Sequence, residues 1–234
     1  IPTDYSTIQA GIDAASDGDT VLVSAGTYVE NIIINNNISL LGQNPEMTII
    51  DGNASGFVVT SLINENFLMK NFTVLNGIGG IQLGPDNGNY IIENTLIVDN
   101  NETYAISCYS DTLILKNVTI TNNPNPWGSV IVFDGGHLYI TNCNIFNEIV
   151  GMGTYITLGL VWNDDATAMV EYSNILGGVG SMYASDGSSY NWGEGNIDAD
   201  PLFCYPNTGD YTLSENSPCV GSGENGANMG AFGV

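Results

Sequence analysis

The chain has 234 residues, 43% of them hydrophobic and only 12% charged, yet its net charge is −23, because 25 acids face two lysines and no arginine. So few cations exclude a nucleic-acid backbone as partner, since nothing would replace its counterions, and disfavour an anionic membrane surface. The excess of carboxylates favours solubility through self-repulsion and makes divalent cations such as Ca2+ candidate ligands.

In chain order, Ile1-Pro2-Thr3 reads as a trimmed start, so the lack of a signal peptide excludes nothing. Ser6-Thr7-Ile8-Gln9 fits a capping box, and Ile8, Ile12 and Ala15 share one helical face before Asp17-Gly18-Asp19 ends the run. Short strands are expected at Thr20–Val23, Asn31–Ile34, Ile38–Leu41, Thr48–Ile50 and Phe57–Thr60, each stopped by Gly or Asn turns. No stretch reaches the ~18 apolar residues of a membrane span, so no membrane insertion is expected.

From Phe67 to Leu176 one phrase recurs five times. Its reference slot holds Asn71, Asn94, Asn117, Asn142 and Tyr172, advancing by 23, 23, 25 and 30 residues. Within each copy apolar and polar residues alternate, the pattern of a half-buried strand. Two slots before the reference stand Met69, Ile92, Leu115, Ile140 and Val170; three after it stand Val74, Ile97, Ile120, Ile145 and Ile175. A period this short has no room for a helix. Each copy is therefore one coil of a parallel β-helix, with each strand pairing with its equivalent ~4.8 Å along the axis. The asparagines should stack amide to amide at a turn.

The phrases Gly18-Asp19-Thr20-Val21-Leu22-Val23, Gly26-Thr27-Tyr28, Ile38-Ser39-Leu40-Leu41-Gly42 and Thr48-Ile49-Ile50-Asp51-Gly52 resemble the opening coils of the pectin-lyase-like right-handed β-helix superfamily. The tail, from Asn196-Ile197-Asp198 through Ser217-Pro218-Cys219 to Met229-Gly230-Ala231-Phe232-Gly233, resembles the closing segment of secreted bacterial β-helix proteins, many of which continue into a sorting or anchoring tail. The resemblance implies a secreted or cell-surface location of bacterial type. It does not decide activity, because this fold hosts many.

The expected architecture is all-β: a right-handed parallel β-helix of eight to ten coils, forming one domain over residues 1–234. Residues 1–19 are its helical cap, 20–195 its coils and 196–234 a C-terminal cap. Cys204 and Cys219 bracket a short loop and are the expected disulfide, worth about 3 kcal/mol. Cys108 and Cys143 fall in strand slots as buried thiols. The sequons at Asn37, Asn53, Asn71, Asn101 and Asn117 follow from Asn- and Thr-rich turns, and glycosylation is not expected.

Lyases of this fold use an arginine or lysine as base, which directs attention to Lys70 and Lys116. Both occupy the slot that holds Glu93 on the intervening coil, so a structural cation–anion–cation row explains them. Hydrolases of the fold use aspartates, and Asp134, His137, Asp164 and Asp165 are the corresponding candidates here. The same turn gathers Asp86, Asp111, Asp134 and Asp164, a column that Ca2+ could neutralise. Trp127, Trp162 and Trp192 lie in irregular turns, where aromatic faces serve as glycan platforms. Since each catalytic candidate also has a structural reading, the sequence points first to a non-catalytic surface protein. Its role would be structural, adhesive or filament-forming, with polysaccharide, Ca2+ or further copies of itself as partners. The alternative is a carbohydrate-active enzyme, a polysaccharide hydrolase before a lyase.

Overall fold

The computed structural model describes residues 1–61, 66–84, 88–126, 129–147, 156–160 and 165–234. The chain winds as a parallel β-solenoid whose coils present three faces. The first face pairs Thr20–Val23, Ser39–Gly42, Phe67–Lys70, the start of Asn89–Val98, the start of Thr112–Thr121, His137–Thr141, Thr167–Glu171 and Ser189–Trp192, in that order. The second face continues it through Gly26–Val29, Thr48–Asp51, Thr73–Leu75, the ends of the two long strands, Asn144–Phe146 and Asn174–Ile175. The third face is a separate sheet of seven strands, from Ile32–Ile34 to Met182–Ala184. Seven strands make about six turns, fewer than the eight to ten coils expected.

Pairing is in strict register, so each inward slot becomes a stack along the axis. One stack runs Val21, Leu40, Met69, Ile92, Leu115, Ile140 and Val170; another, on the third face, runs Ile32, Val59, Ile81, Ile106, Ile131 and Leu158. All are buried. Each such side chain contributes about 1.5–3 kcal/mol relative to exposure. The first stack ends at Trp192, which is partly buried against the core. Trp192 therefore closes that stack at its far end.

The bend between first and second faces is made by one residue per coil in the left-handed region: Asn71, Asn94, Asn117, Asn142 and Tyr172, with φ from 46° to 68°. Asparagine tolerates this conformation better than other side-chain-bearing residues. Its amide then bonds along the axis. Asn71 Nδ2 donates to Gly42 O at 3.1 Å, Asn94 Nδ2 to Asn71 Oδ1 at 3.3 Å, and Asn117 Nδ2 to Asn94 Oδ1 at 3.0 Å. The row starts on a glycine because a Cβ at residue 42 would overlap the Asn71 carbonyl oxygen. It changes partner at Asn142, whose Oδ1 accepts from Glu224 N at 2.7 Å.

A second asparagine row, not anticipated from sequence, is buried at the next bend. Asn100 Oδ1 accepts from Gly77 N at 2.9 Å, Asn123 Oδ1 from Asn100 N at 3.1 Å, and Asn147 Oδ1 from Asn123 N at 2.6 Å. All three side chains are almost fully excluded from water. Their spacing was legible, five or six residues after the first row. Asn123 Nδ2 also donates to the carbonyls of Thr121 and Ile97, so this one side chain serves three backbone groups, Asn100 N among them.

The N-terminal end is closed by α1, Ile8–Ala14. Its N-cap is Thr7, one residue later than the predicted capping box, because Gln9 is used elsewhere. Gln9 pairs its amide with both backbone groups of Ile33 on the terminal strand, at 2.7 and 3.1 Å, while the Glu30 carboxylate accepts from Ile8 N and Gln9 N. The backbone groups of Ile33 on that terminal edge are thereby satisfied internally.

The tail departs most from expectation. Its start stacks on the last coil, where Ile197 pairs in parallel with Asn174, and the rest folds back along the outside of the second face. Gly230 N donates to Asn142 O, Ala231 N donates to Thr119 Oγ1, and Phe232 packs with Leu96, Val98 and Tyr211. These outward slots hold apolar or small polar residues because the tail covers them. The expected Cys204–Cys219 disulfide is absent, and all four cysteines are free. Phe203 packs toward the Leu213, Cys219 and Met229 cluster, so strand alternation turns its neighbour Cys204 away, toward Ser214. Cys108 and Cys143 are buried, which raises both thiols to about 12.

Where the hairpin Phe203–Tyr205/Asp210–Leu213 crosses the second face, Tyr211 meets a left-handed ridge of Asn76, Asp99 and Asn122. Asn122 Nδ2 donates to Asp99 Oδ1. Burial raises the Asp99 carboxyl above its ordinary value, the Asn122 bond opposing the rise, and burial with the Asp99 charge pushes Tyr211 up to about 12.

Two predictions follow from these contacts. Asn123→Leu strands several buried polar groups and should cost about 3 kcal/mol or more, whereas Asn117→Gly, which suits the left-handed turn, should cost about 1 kcal/mol; urea denaturation measures the order. For Asp99 the folded carboxyl binds its proton more tightly than the unfolded one. Its ionised form therefore weakens the fold above the folded value and costs nothing below the ordinary 3.8. Asp99→Asn should raise the thermal midpoint at neutral pH, with the gain vanishing as pH falls below about 3.8.

Candidate functional site

Unlike the second face, the outer side of the first face carries no tail. Its strands alternate, and register arranges the outward slots into three parallel rows. The middle row is apolar: Leu68, Ile91, Ile114, Tyr139 and Met169. Ile91 is 36% exposed and Tyr139 41%, the others half-buried, giving a stripe roughly 19 Å long at the spacing of paired strands. An aliphatic and aromatic stripe left uncovered in so acidic a protein marks a surface that receives something.

On one side runs a polar row, Asn89, Thr112, His137, Thr167 and Ser189. His137 is exposed; its Nδ1 shares a hydrogen bond with Thr167 Oγ1 at 2.7 Å, and its ring lies 6.4 Å from that of Tyr139. On the other side runs Lys70, Glu93, Lys116, Thr141 and Glu171. Lys70 Nζ reaches Glu93 Oε2 at 3.1 Å, the ion pair found among the described residues. Lys116 shares Glu93's register but makes no ion pair there, so the row is a pair beside an exposed lysine rather than a linked triplet. Lys70, Lys116 and His137 are all the basic side chains the chain has. All three stand on this face.

Of the acidic candidates, Asp111 and Asp134 fall in different slots of the turn. Asp134 N bonds Cys108 O and His137 N bonds Asp111 O, so Asp134 follows the slot of Tyr109 while Asp111 lies under Gly136. Asp111 stands six residues before Asn117 and Asp134 eight before Asn142, so the strand register itself puts them in different slots. Asp111 and Asp134 therefore do not stack directly on one another. Among the described residues no group of three His, Cys, Asp or Glu side chains is placed to hold a metal ion. Asp86, Asp164, Trp127 and Trp162 lie outside the described residues. Asp165 is exposed.

No protein-family model and no curated protein matches the chain. Among solved structures it is similar to a pectin methylesterase from carrot, at 17% identity and a TM-score of 0.54, over 84% of this chain and 80% of that one. It is also similar to pectin methylesterases from Yersinia enterocolitica (12% identity, TM-score 0.47, 84% of this chain and 94% of that one) and Aspergillus niger (16%, 0.48, 83% and 82%). At these identities the likeness is one of fold alone, a parallel β-helix.

Since the Lys70–Glu93 pair is partly exposed, Glu93→Gln should change stability by less than about 1 kcal/mol in urea denaturation.

Proposed function

We propose that this protein is a non-catalytic, secreted or surface-held β-helix that binds polysaccharide along the outer side of its first face and serves an adhesive or structural role. The observation that carries the reading is the uncovered apolar stripe along the first face of a chain of net charge −23. A row of shallow, repeating contacts at strand spacing suits an extended polymer better than a small substrate. The fold neighbour from carrot is named for pectin, which makes pectic chains the first ligands to try. With Lys70 engaged by Glu93, the face offers little positive charge, so it suits a methyl-esterified chain, whose ester groups pack on the stripe, better than a free uronate chain.

Affinity electrophoresis and calorimetry with pectins of graded esterification test this. Binding should strengthen with esterification, and Tyr139→Ala or Ile91→Ser should weaken it about tenfold. Binding that strengthens as ester is removed, or that ignores both substitutions, would sink the reading. A carbohydrate-active enzyme using Asp134, His137, Asp164 and Asp165 is the second reading, favoured by the carbohydrate-active enzymes sharing the fold. Release of methanol or new reducing ends by the wild type, lost in Asp134→Asn, would establish it.

A further inference from the structure

Two hollows lie where the tail hairpin crosses the second face, one on each side of Tyr211. The larger, about 510 Å³, is floored by the outward aliphatic side chains Leu75, Leu96 and Val98 and rimmed by Glu46, Asp99 and Asp210. The smaller, about 400 Å³, lies between Asn122, Phe146, Asp200 and Asn207. Tyr211 lines both, held edge-on against Phe203 with ring centroids 5.4 Å apart. Volumes of this size, with an apolar floor and a few polar groups at the rim, are those of small-ligand sites.

The rim has a consistent chemistry. It offers carboxylate, hydroxyl and amide oxygens, and no cation, because both lysines and the histidine stand on the first face. Asp99 is the telling residue. Its carboxylate is partly desolvated without a positive partner, which disfavours its charged form. The fold does not require that charge: Asn76 and Asn122 make the same left-handed turn on the coils before and after, and an asparagine Oδ1 would accept the Asn122 amide equally well. A charge retained at a cost, inside a formed hollow, is there for something that enters it.

We infer that the hollows beside Tyr211 form a second binding site, separate from the first face, and that it takes a neutral saccharide. Sugar hydroxyls donate to Asp99, Asp210 and Glu46, while the C–H side of the ring packs on Leu75, Leu96 and Val98. Four carboxylates without a cation repel uronates and sulfated sugars. The two surfaces of the protein thus discriminate differently, one reading an extended chain and the other a neutral sugar unit.

Saturation-transfer NMR and calorimetry on the full chain, with cellotetraose, xylotetraose and β-1,4-linked galactotetraose as probes, test the inference. At least one should bind, with an affinity indifferent to added salt. Thr208→Trp, which fills the larger hollow from its exposed rim, and Asp99→Asn, which keeps the turn but removes the charge, should each weaken binding about tenfold without lowering the thermal midpoint. Failure of all three probes would overturn the inference, as would binding that survives both substitutions or competition by tetragalacturonate. Neutral-sugar binding lost in Tyr139→Ala but kept in Thr208→Trp would place the sugar on the first face, overturning this site while leaving the earlier proposal standing.

Discussion

The whole molecule depends on adjacent coils stacking without a slip. In a strand a one-residue shift exchanges the buried and exposed sets, so each coil must enter the stack in the register of the one before. Here the register is held at the bends by asparagine. A left-handed residue fixes where the chain turns, and its amide bonds to the equivalent residue one coil away. The outer row makes the corner. The inner row, Asn100, Asn123 and Asn147, does so where water cannot compete, and so contributes more per bond.

Register also sorts the surface. Because outward slots line up along the axis, a row takes on one character, and two faces of the same coils become chemically opposite. The first face collects the chain's three basic side chains around an apolar stripe. The second face is covered by its own tail, leaving hollows with an acidic rim. Net charge alone would suggest a uniformly acidic rod. Its few cations count for more because they are placed together.

The period, the alternation inside each phrase and the apolar columns were legible because they are local and repeated: Met69, Ile92, Leu115 and Ile140 announce a common face through spacing alone. The asparagine ladder was legible for the same reason. Turn-borne residues were legible only in part. Asp111 and Asp134 belong to the same turn on adjacent coils, but register carries through that turn and sets them two slots apart, Asp134 against Tyr109 and Asp111 under Gly136. The outward stripe of Leu68, Ile91, Ile114, Tyr139 and Met169 was present in the same alternating pattern. Nothing in that pattern says which outward rows stay open.

By itself, then, the sequence determined a parallel β-helix, its inward columns, its asparagine bends and a helical N-terminal cap, because each arises from contacts that recur every coil. The tertiary structure alone decided where the tail goes. Its course, across the outside of the second face from Asn142 to Leu96, depends on single contacts between residues far apart in the chain, such as Ala231 with Thr119, 112 positions away, and no period encodes them. That one decision separates Cys204 from Cys219, buries Asp99 and Tyr211, and leaves the first face as the broad outer surface without a tail over it.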